Sequence, residues 1–171
     1  MGKFLSLTLL FITLMACQSE SERTTWPKEV ELTTPAGEAI KTTLAVTMAE
    51  QERGLSGVLS SDFNDDQGML FFYLADEEKH FWMPDTYFDL DIIFLDKDLK
   101  VLDVIRKLPH YKGRANPELI PRARGVWARH ALEMKASSSI ADKIKVGDQL
   151  KWKAPLTITE LEQQIQSPAK N

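Results

Sequence analysis

The chain has 171 residues, 21 Lys and Arg against 25 Asp and Glu, a formal net charge of −4, 43% hydrophobic residues and one cysteine. A mildly acidic balance argues against generic nucleic-acid binding, and a single thiol excludes an internal disulfide. The length suits one domain and hardly two, and no internal repeat is visible.

Met1-Gly2-Lys3 precedes an apolar run over residues 4–15 that is too short to span a bilayer but suits the core of an export signal. The run ends at Leu14-Met15-Ala16-Cys17, which resembles a lipobox, so residues 1–16 are expected to be removed and Cys17 to carry the lipid. Each buried methylene of such an anchor contributes about 0.8 kcal/mol, so the mature protein is expected to sit durably on a membrane without crossing it. Gln18 rather than Asp after the cysteine favours the periplasmic face of the outer membrane, if the host is Gram-negative. Loss of Lys3 with the signal makes the mature chain one unit more acidic. Residues 17–25 are polar and free of hydrophobes and read as a flexible tether. The folded domain is expected over residues 26–155.

Residues 29–32 and 39–46 carry β-branched and apolar residues around a Pro35-Ala36-Gly37 turn signal and read as a hairpin. Thr47 followed by Glu50 fits a capping box, and Gly54 a helix C′ position, which predicts a short helix over 48–53. The aromatic-rich runs 68–74 and 79–83, separated by an acidic turn, read as a strand pair. Residues 91–95 and 100–105 flank a short polar turn and read as a further hairpin. Pro109, Gly113, Pro117 and Pro121 forbid regular structure and predict a long surface loop over 107–124. Residues 126–134 then read as a strand, 137–143 as a short capped helix and 149–152 as a last strand. Residues 156–171 read as a C-terminal tail, weakly helical at best. Many short strands with two small helices predict a mainly β, α+β domain: a small closed or nearly closed mixed β-barrel, because closure removes exposed edges.

Four stretches stand in order: Arg53-Gly54-Leu55, Gly68-Met69-Leu70-Phe71, Phe81-Trp82-Met83 and Leu90-Asp91-Ile92-Ile93-Phe94-Leu95-Asp96. Together they resemble the DUF192 family, a domain of unknown function. His130-Ala131-Leu132-Glu133-Met134 and Ile144-Lys145-Val146-Gly147-Asp148 extend the similarity over about residues 44–150. The resemblance implies a compact β-rich domain of exported bacterial and archaeal proteins, with no established reaction to carry over. Where the family pattern continues Phe-Trp-Met with Lys-Asn-Thr and then Pro-Leu-Asp, this chain has Pro84-Asp85-Thr86 and Asp89-Leu90-Asp91. That corner is more acidic than the pattern, which argues against a shared anion-binding role at those positions.

No Gly-x-Ser-x-Gly elbow, His-Glu-x-x-His helix or Gly-rich phosphate loop is present, so a familiar hydrolase mechanism has no visible nucleophile and no cofactor is called for. Asp85, Asp89, Asp91 and Asp96 fall within twelve residues. Gathered at one rim they would hold a hard cation or share a proton, but the spacing matches no metal loop, and turns and strand ends account better for such residues. The three histidines are too dispersed to predict a zinc site. Phe71, Phe72, Tyr73, Phe81, Trp82, Phe88 and Phe94 either line a pocket or fill the barrel.

Charge is segregated. Residues 106–129 hold seven basic groups against Glu118, whereas residues 60–103 hold twelve acids against three lysines. Lys112, Arg114, Arg122 and Arg124 are therefore candidate contacts to anionic lipid, lipopolysaccharide, peptidoglycan or an envelope protein, at about 1 kcal/mol per well-placed cation. The alternative is that they pair with the domain's own acidic face, where exposed pairs contribute little. Two functional readings follow: a non-catalytic envelope lipoprotein that binds an anionic component, small ligand or partner, and a hydrolase-like enzyme using Asp85 and Asp91, with Arg53, beside Trp82. Buried polar groups of perturbed acidity converging on a concavity would favour the enzyme, and an exposed basic face the binder.

Overall fold

The structure, a computed structural model, describes residues 26–167; Cys17, the signal and the tether lie outside the described residues. The predicted opening hairpin is β1 (Glu29–Thr33) against β2 (Ala39–Ala45). Gly37 takes φ +85 in its turn, a conformation that favours glycine. The capping box at Thr47 and Glu50 starts α1 (Met48–Arg53), and Gly54 ends it. After a crossover through α1 and a 3-10 turn, β3 (Gln67–Phe71) runs parallel to β2, a pairing that needs a long connection.

Chain order continues through β4 (Glu77–Lys79), β5 (Leu90–Leu95), β6 (Val101–Leu108), β7 (Val126–Ala128), β8 (His130–Lys135), α2 (Ser139–Lys143), β9 (Lys151–Lys153) and α3 (Ile158–Gln166). Seven strands form one mixed sheet in the order β6-β5-β8-β3-β2-β1-β9, and β4 pairs with β7 in a separate ribbon. The sheet curls into a half-barrel. Its two edges meet at one end, where Val101 N donates to Asp148 O at 2.8 Å, Leu150 N to Leu99 O at 3.1 Å, and Lys100 bridges Gln149. The architecture is thus mainly β and nearly closed, as the short strands predict.

Strand alternation sorts the apolar residues into two cores. Inside the barrel lie Leu32, Ile40, Leu70, Phe72, Ile93 and Leu132, joined by Leu161 of α3. On the other face of the same sheet, Phe71, Ile92, Phe94 and Ala131 pack under Phe81, Met83, Ile120 and Val126. The central strands β5 and β8 are therefore buried on both faces. Gly68 sits where β3 and β8 press closest: a Cβ there would lie 2.7 Å from Leu132 Cδ1 and 3.2 Å from Ile40 Cγ2. Both neighbours are fully buried and have nowhere to go, so Gly68→Ala is expected to cost about 1–3 kcal/mol through overpacking. A urea midpoint equal to that of the wild type would contradict this.

Four segments differ from expectation. The runs 68–74 and 79–83 do not pair with one another; β3 is claimed by β2 and β8, and β4 by β7. The segment 126–134 is two strands, parted at Arg129, whose guanidinium binds Asp76 at 2.8 Å and Glu162 at 3.1 Å. The C-terminal tail contains α3, a third helix started by a capping box at Thr157 and Glu160 like that of α1 and anchored by buried Leu161. The segment 107–124 is also better tied than a surface loop. β6 takes its first residues, and the rest lies along residues 81–86 through Ala123 N to Phe81 O, Met83 N to Pro121 O and paired bonds between Thr86 and Tyr111.

Candidate functional site

Residues 80–84 and Thr86, which the strap of residues 111–123 holds in place from behind, form one wall of a cleft of about 100 Å³. The C-terminal end of α1 forms another. Within the first wall the alternation of a strand sends Phe81 and Met83 into the outer core and leaves Trp82 40% exposed at the cleft. Ser56, beyond α1, is fixed by donating its hydroxyl to Pro84 O at 2.7 Å. Gly54 lets the chain turn tightly over Phe71, whose ring edge would stand 3.1 Å from an added Cβ.

Three guanidinium groups border this cleft. Arg53, in the last turn of α1, lines it. Arg114 donates to Ser56 Oγ at 2.8 Å, and the Arg122 guanidinium lies 5.1 Å from the Trp82 ring centre in a cation–π contact. Among the described residues, none of the three forms a salt bridge. The other basic groups of this region are used differently. Arg106 pairs with Asp91, Arg124 with Asp103, and Arg129 with Asp76 and Glu162; Lys112 stands 5.8 Å from the Tyr87 ring centre. Of the predicted surface contacts, Arg114 and Arg122 touch lining residues of the cleft, Ser56 and Trp82, without lining it themselves, and Arg124 is held to the sheet.

The cleft also contains an acid that the sequence reading passed over. Glu133 lies in β8, between Met69 of β3 and Ile92 of β5, on the face shared with Ala131. It is 4% exposed and lines the cleft. No described residue hydrogen-bonds its carboxyl, and burial pushes its pKa up to about 8, so at neutral pH it is a carboxylic acid. Tyr73, another lining residue, is pushed up to about 12 by burial and by the charges of Glu133 and Glu77. Lys79 is buried with its ammonium 3.4 Å from the Tyr73 ring centre and paired with Glu77; burial lowers its pKa. His80 lines the cleft, with Nε2 3.4 Å from Glu78. A glutamate inside the alternating apolar strand His130-Ala131-Leu132-Glu133-Met134 was the one sequence signal that could have marked this site.

The four aspartates do not gather at one rim; they serve separate turns and faces, as the turn reading predicts. Asp85, at φ +52, accepts from Gly113 N at 3.2 Å and fastens the strap. Asp89 accepts from His110 N at 2.9 Å, and Asp96 caps its own turn through the amides of Asp98 and Lys100. Asp91 is 2% exposed and lies opposite Met134, toward the barrel interior and away from the cleft. There it binds Arg106 at 2.6 Å and Lys107 N at 2.8 Å. Arg53 and Trp82 thus share a cleft, whereas Asp85 and Asp91 do not enter it. The acidity of residues 85–91 is satisfied by amides, His110 and Arg106, outside the cleft. Among the described residues no three His, Cys, Asp or Glu side chains are grouped to hold a metal ion. Of the aromatic residues, Tyr73, Phe81 and Trp82 line the cleft, while Phe71, Phe81 and Phe94 meet edge to face in the outer core.

A protein of unknown function from Novosphingobium aromaticivorans DSM 12444, known from its crystal structure, matches 72% of this chain and 84% of its own at 28% identity, with a TM-score of 0.57. A candidate transcription regulator from Sinorhizobium meliloti 1021 matches 72% of this chain and 92% of its own at 25% identity, with a TM-score of 0.55. No curated protein matches the chain. Residues 30–152 match DUF192, described as an uncharacterized ACR, and with most of its length covered the chain belongs to the DUF192 family.

Proposed function

We propose that the mature protein is a lipid-anchored envelope protein, held by Cys17 on the periplasmic face of the outer membrane, whose domain binds an anionic group of an envelope component without transforming it. The observation that carries this reading is the set of guanidinium groups of Arg53, Arg114 and Arg122 around a cleft walled by Trp82. Guanidinium groups free of protein carboxylates are suited to carboxylate or phosphate, and the tether of residues 17–25 leaves the domain near such groups. The test uses the chain from residue 17 with Cys17→Ser, sedimented with peptidoglycan, lipopolysaccharide and anionic or neutral vesicles across a salt series. Salt-sensitive binding that falls on the order of 100-fold when all three arginines become alanine is expected, at about 1 kcal/mol per cation. Binding that ignores both salt and the arginines, or none at all, would sink the idea. Labelled palmitate that still enters the Cys17→Ser chain in cells would remove the anchor from it.

A second reading, an acid–base hydrolase, is favoured by one observation: Glu133 is a buried carboxyl with a raised pKa in a cleft. It moves the acid from Asp85 and Asp91 to Glu133. Turnover of an envelope ester or glycoside that Glu133→Gln abolishes, in a chain that remains folded, would favour it over binding alone.

A further inference from the structure

Glu133 stands between two apolar strand neighbours at the cleft, and its carboxyl has no hydrogen-bonding partner among the described residues. Its oxygens are not sealed in the protein but face the cleft, so a hydrogen-bonding partner can reach them from outside. The surrounding charges say what kind of partner. From α1 come Glu52 and Arg53, both exposed; from the segment after β3 comes Tyr73, with Lys79 and Glu77 beyond its ring; from residues 78–80 come His80 and Glu78. On β8 itself Lys135 turns aside, its ammonium donating to Ser60 O at 2.7 Å and lying 5.3 Å from the Phe88 ring centre. Burial raises the Glu133 pKa.

Resting on the anion-binding reading above, we propose that Glu133 is the ligand-contacting acid of the cleft, its carboxyl O–H donating a hydrogen bond to an oxygen of a carboxylate or phosphate drawn in by Arg53, Arg114 and Arg122. An anion at that point opposes ionisation of Glu133, and a protonated Glu133 favours the anion, so the two are linked: the site takes up its oxyanion only while the proton is in place. The space of about 100 Å³ suits the terminal group of a ligand, with the remainder outside against Trp82 and Arg122.

The experiment titrates the Cys17→Ser chain with acetate and, in parallel, with dimethyl phosphate, from pH 6 to pH 10. Both probes keep one negative charge throughout, and whichever binds tighter separates a carboxylate ligand from a phosphodiester head group. Affinity is expected to be level to about pH 8 and then to fall about tenfold per pH unit. Glu133→Gln retains an N–H donor and is expected to bind within a few-fold of the wild type with a level profile. Glu133→Leu, checked for folding by near-ultraviolet circular dichroism, is expected to lose at least tenfold at every pH. A level profile in the wild type, or the same fall in Glu133→Gln, overturns the role of Glu133 while leaving the arginine cleft standing. Binding of neither probe by the folded wild type overturns both.

Discussion

Asp91→Ala is expected to destabilise the protein by about 3 kcal/mol and to lower its thermal midpoint by on the order of 10 °C, with the melt followed by far-ultraviolet circular dichroism. The carboxylate is buried and joins three pieces of chain: it accepts from the Arg106 guanidinium and from Lys107 N, and Arg106 in turn donates to Ala141 O and Ile144 O at the end of α2. Removing it leaves an amide and a guanidinium without their partner, and breaking a buried pair from one side costs more than the pair is worth intact. The estimate takes the lower end of the usual range because Arg106 keeps 33% of its side chain exposed. Asp91→Ala with Arg106→Met should recover part of the loss, since no unpaired charge remains. A change below about 1 kcal/mol in the single variant would show that this junction is not what fixes β5, β6 and α2 together. The outcome also bears on function: a residue in this position shapes the sheet and does not reach the cleft chemistry.

Glu133→Met is expected to be more stable than the wild type at pH 8 by about 2 kcal/mol, because the folded chain no longer buries a carboxyl without a partner. The advantage shrinks as the pH falls. In the folded chain Glu133 holds its proton to about pH 8, whereas unfolding returns it to the ordinary value of 4.5. Folding therefore takes up a proton between those values, and the contribution of Glu133 to stability is lost as pH rises from 4.5 to 8. His130 acts in the opposite sense. Burial, aided by Arg129 and Lys79, lowers its pKa from 6.5 to about 3, so the unfolded chain binds the extra proton and stability falls as pH drops from 6.5 to 3. Glu50 adds to the acid limb: burial pushes it up, but Lys28 and the amides and hydroxyl of the capping box outweigh that and bring it to about 2, so its contribution is lost as pH falls from 4.5 to 2. The wild-type urea midpoint should therefore be broad between about pH 4.5 and 6.5 and decline toward pH 8. Glu133→Met should abolish the alkaline decline and leave the acid one. An alkaline decline unchanged in the variant would place its origin elsewhere.

Local rules made much of this fold legible. The β1–β2 and β5–β6 hairpins follow from turn chemistry beside alternating residues, and α1 from Thr47, Glu50 and Gly54, which interact within a few residues of one another. Strand partnership is a different matter. The run beginning at Gly68 looks much like a hairpin arm, yet its partners lie in β2 and β8, and nothing local distinguishes them. The tail was misjudged for a narrower reason: Thr157 and Glu160 carry the same signature as Thr47 and Glu50, but the apolar residues of α3 acquire meaning only once the barrel interior exists for Leu161 to enter. The site suffered most. The aspartates at 85, 89, 91 and 96 crowd the sequence and part in space, because only Asp91 lies in a strand, facing the barrel interior, while the other three tie separate loops and turns. Arg53, Trp82 and Glu133 are scattered in sequence, and the sheet, α1 and residues 80–86 bring them to one cleft, with Arg114 held beside it through Ser56.

The meeting of the two sheet edges sets an order on folding. β9, the last strand, lies beside β1, the first, and β3 pairs with β8, a strand some sixty residues further along. A nascent chain emerging N-terminus first can form the β1–β2 hairpin at once and add β3 beside β2, but the other edge of β3 must wait for β8, and the barrel for β9. Such distant pairings carry a large loop-closure cost and slow the search. The domain is thereby built to fold after synthesis rather than during it, with its apolar strands in need of protection until the C-terminal segment arrives.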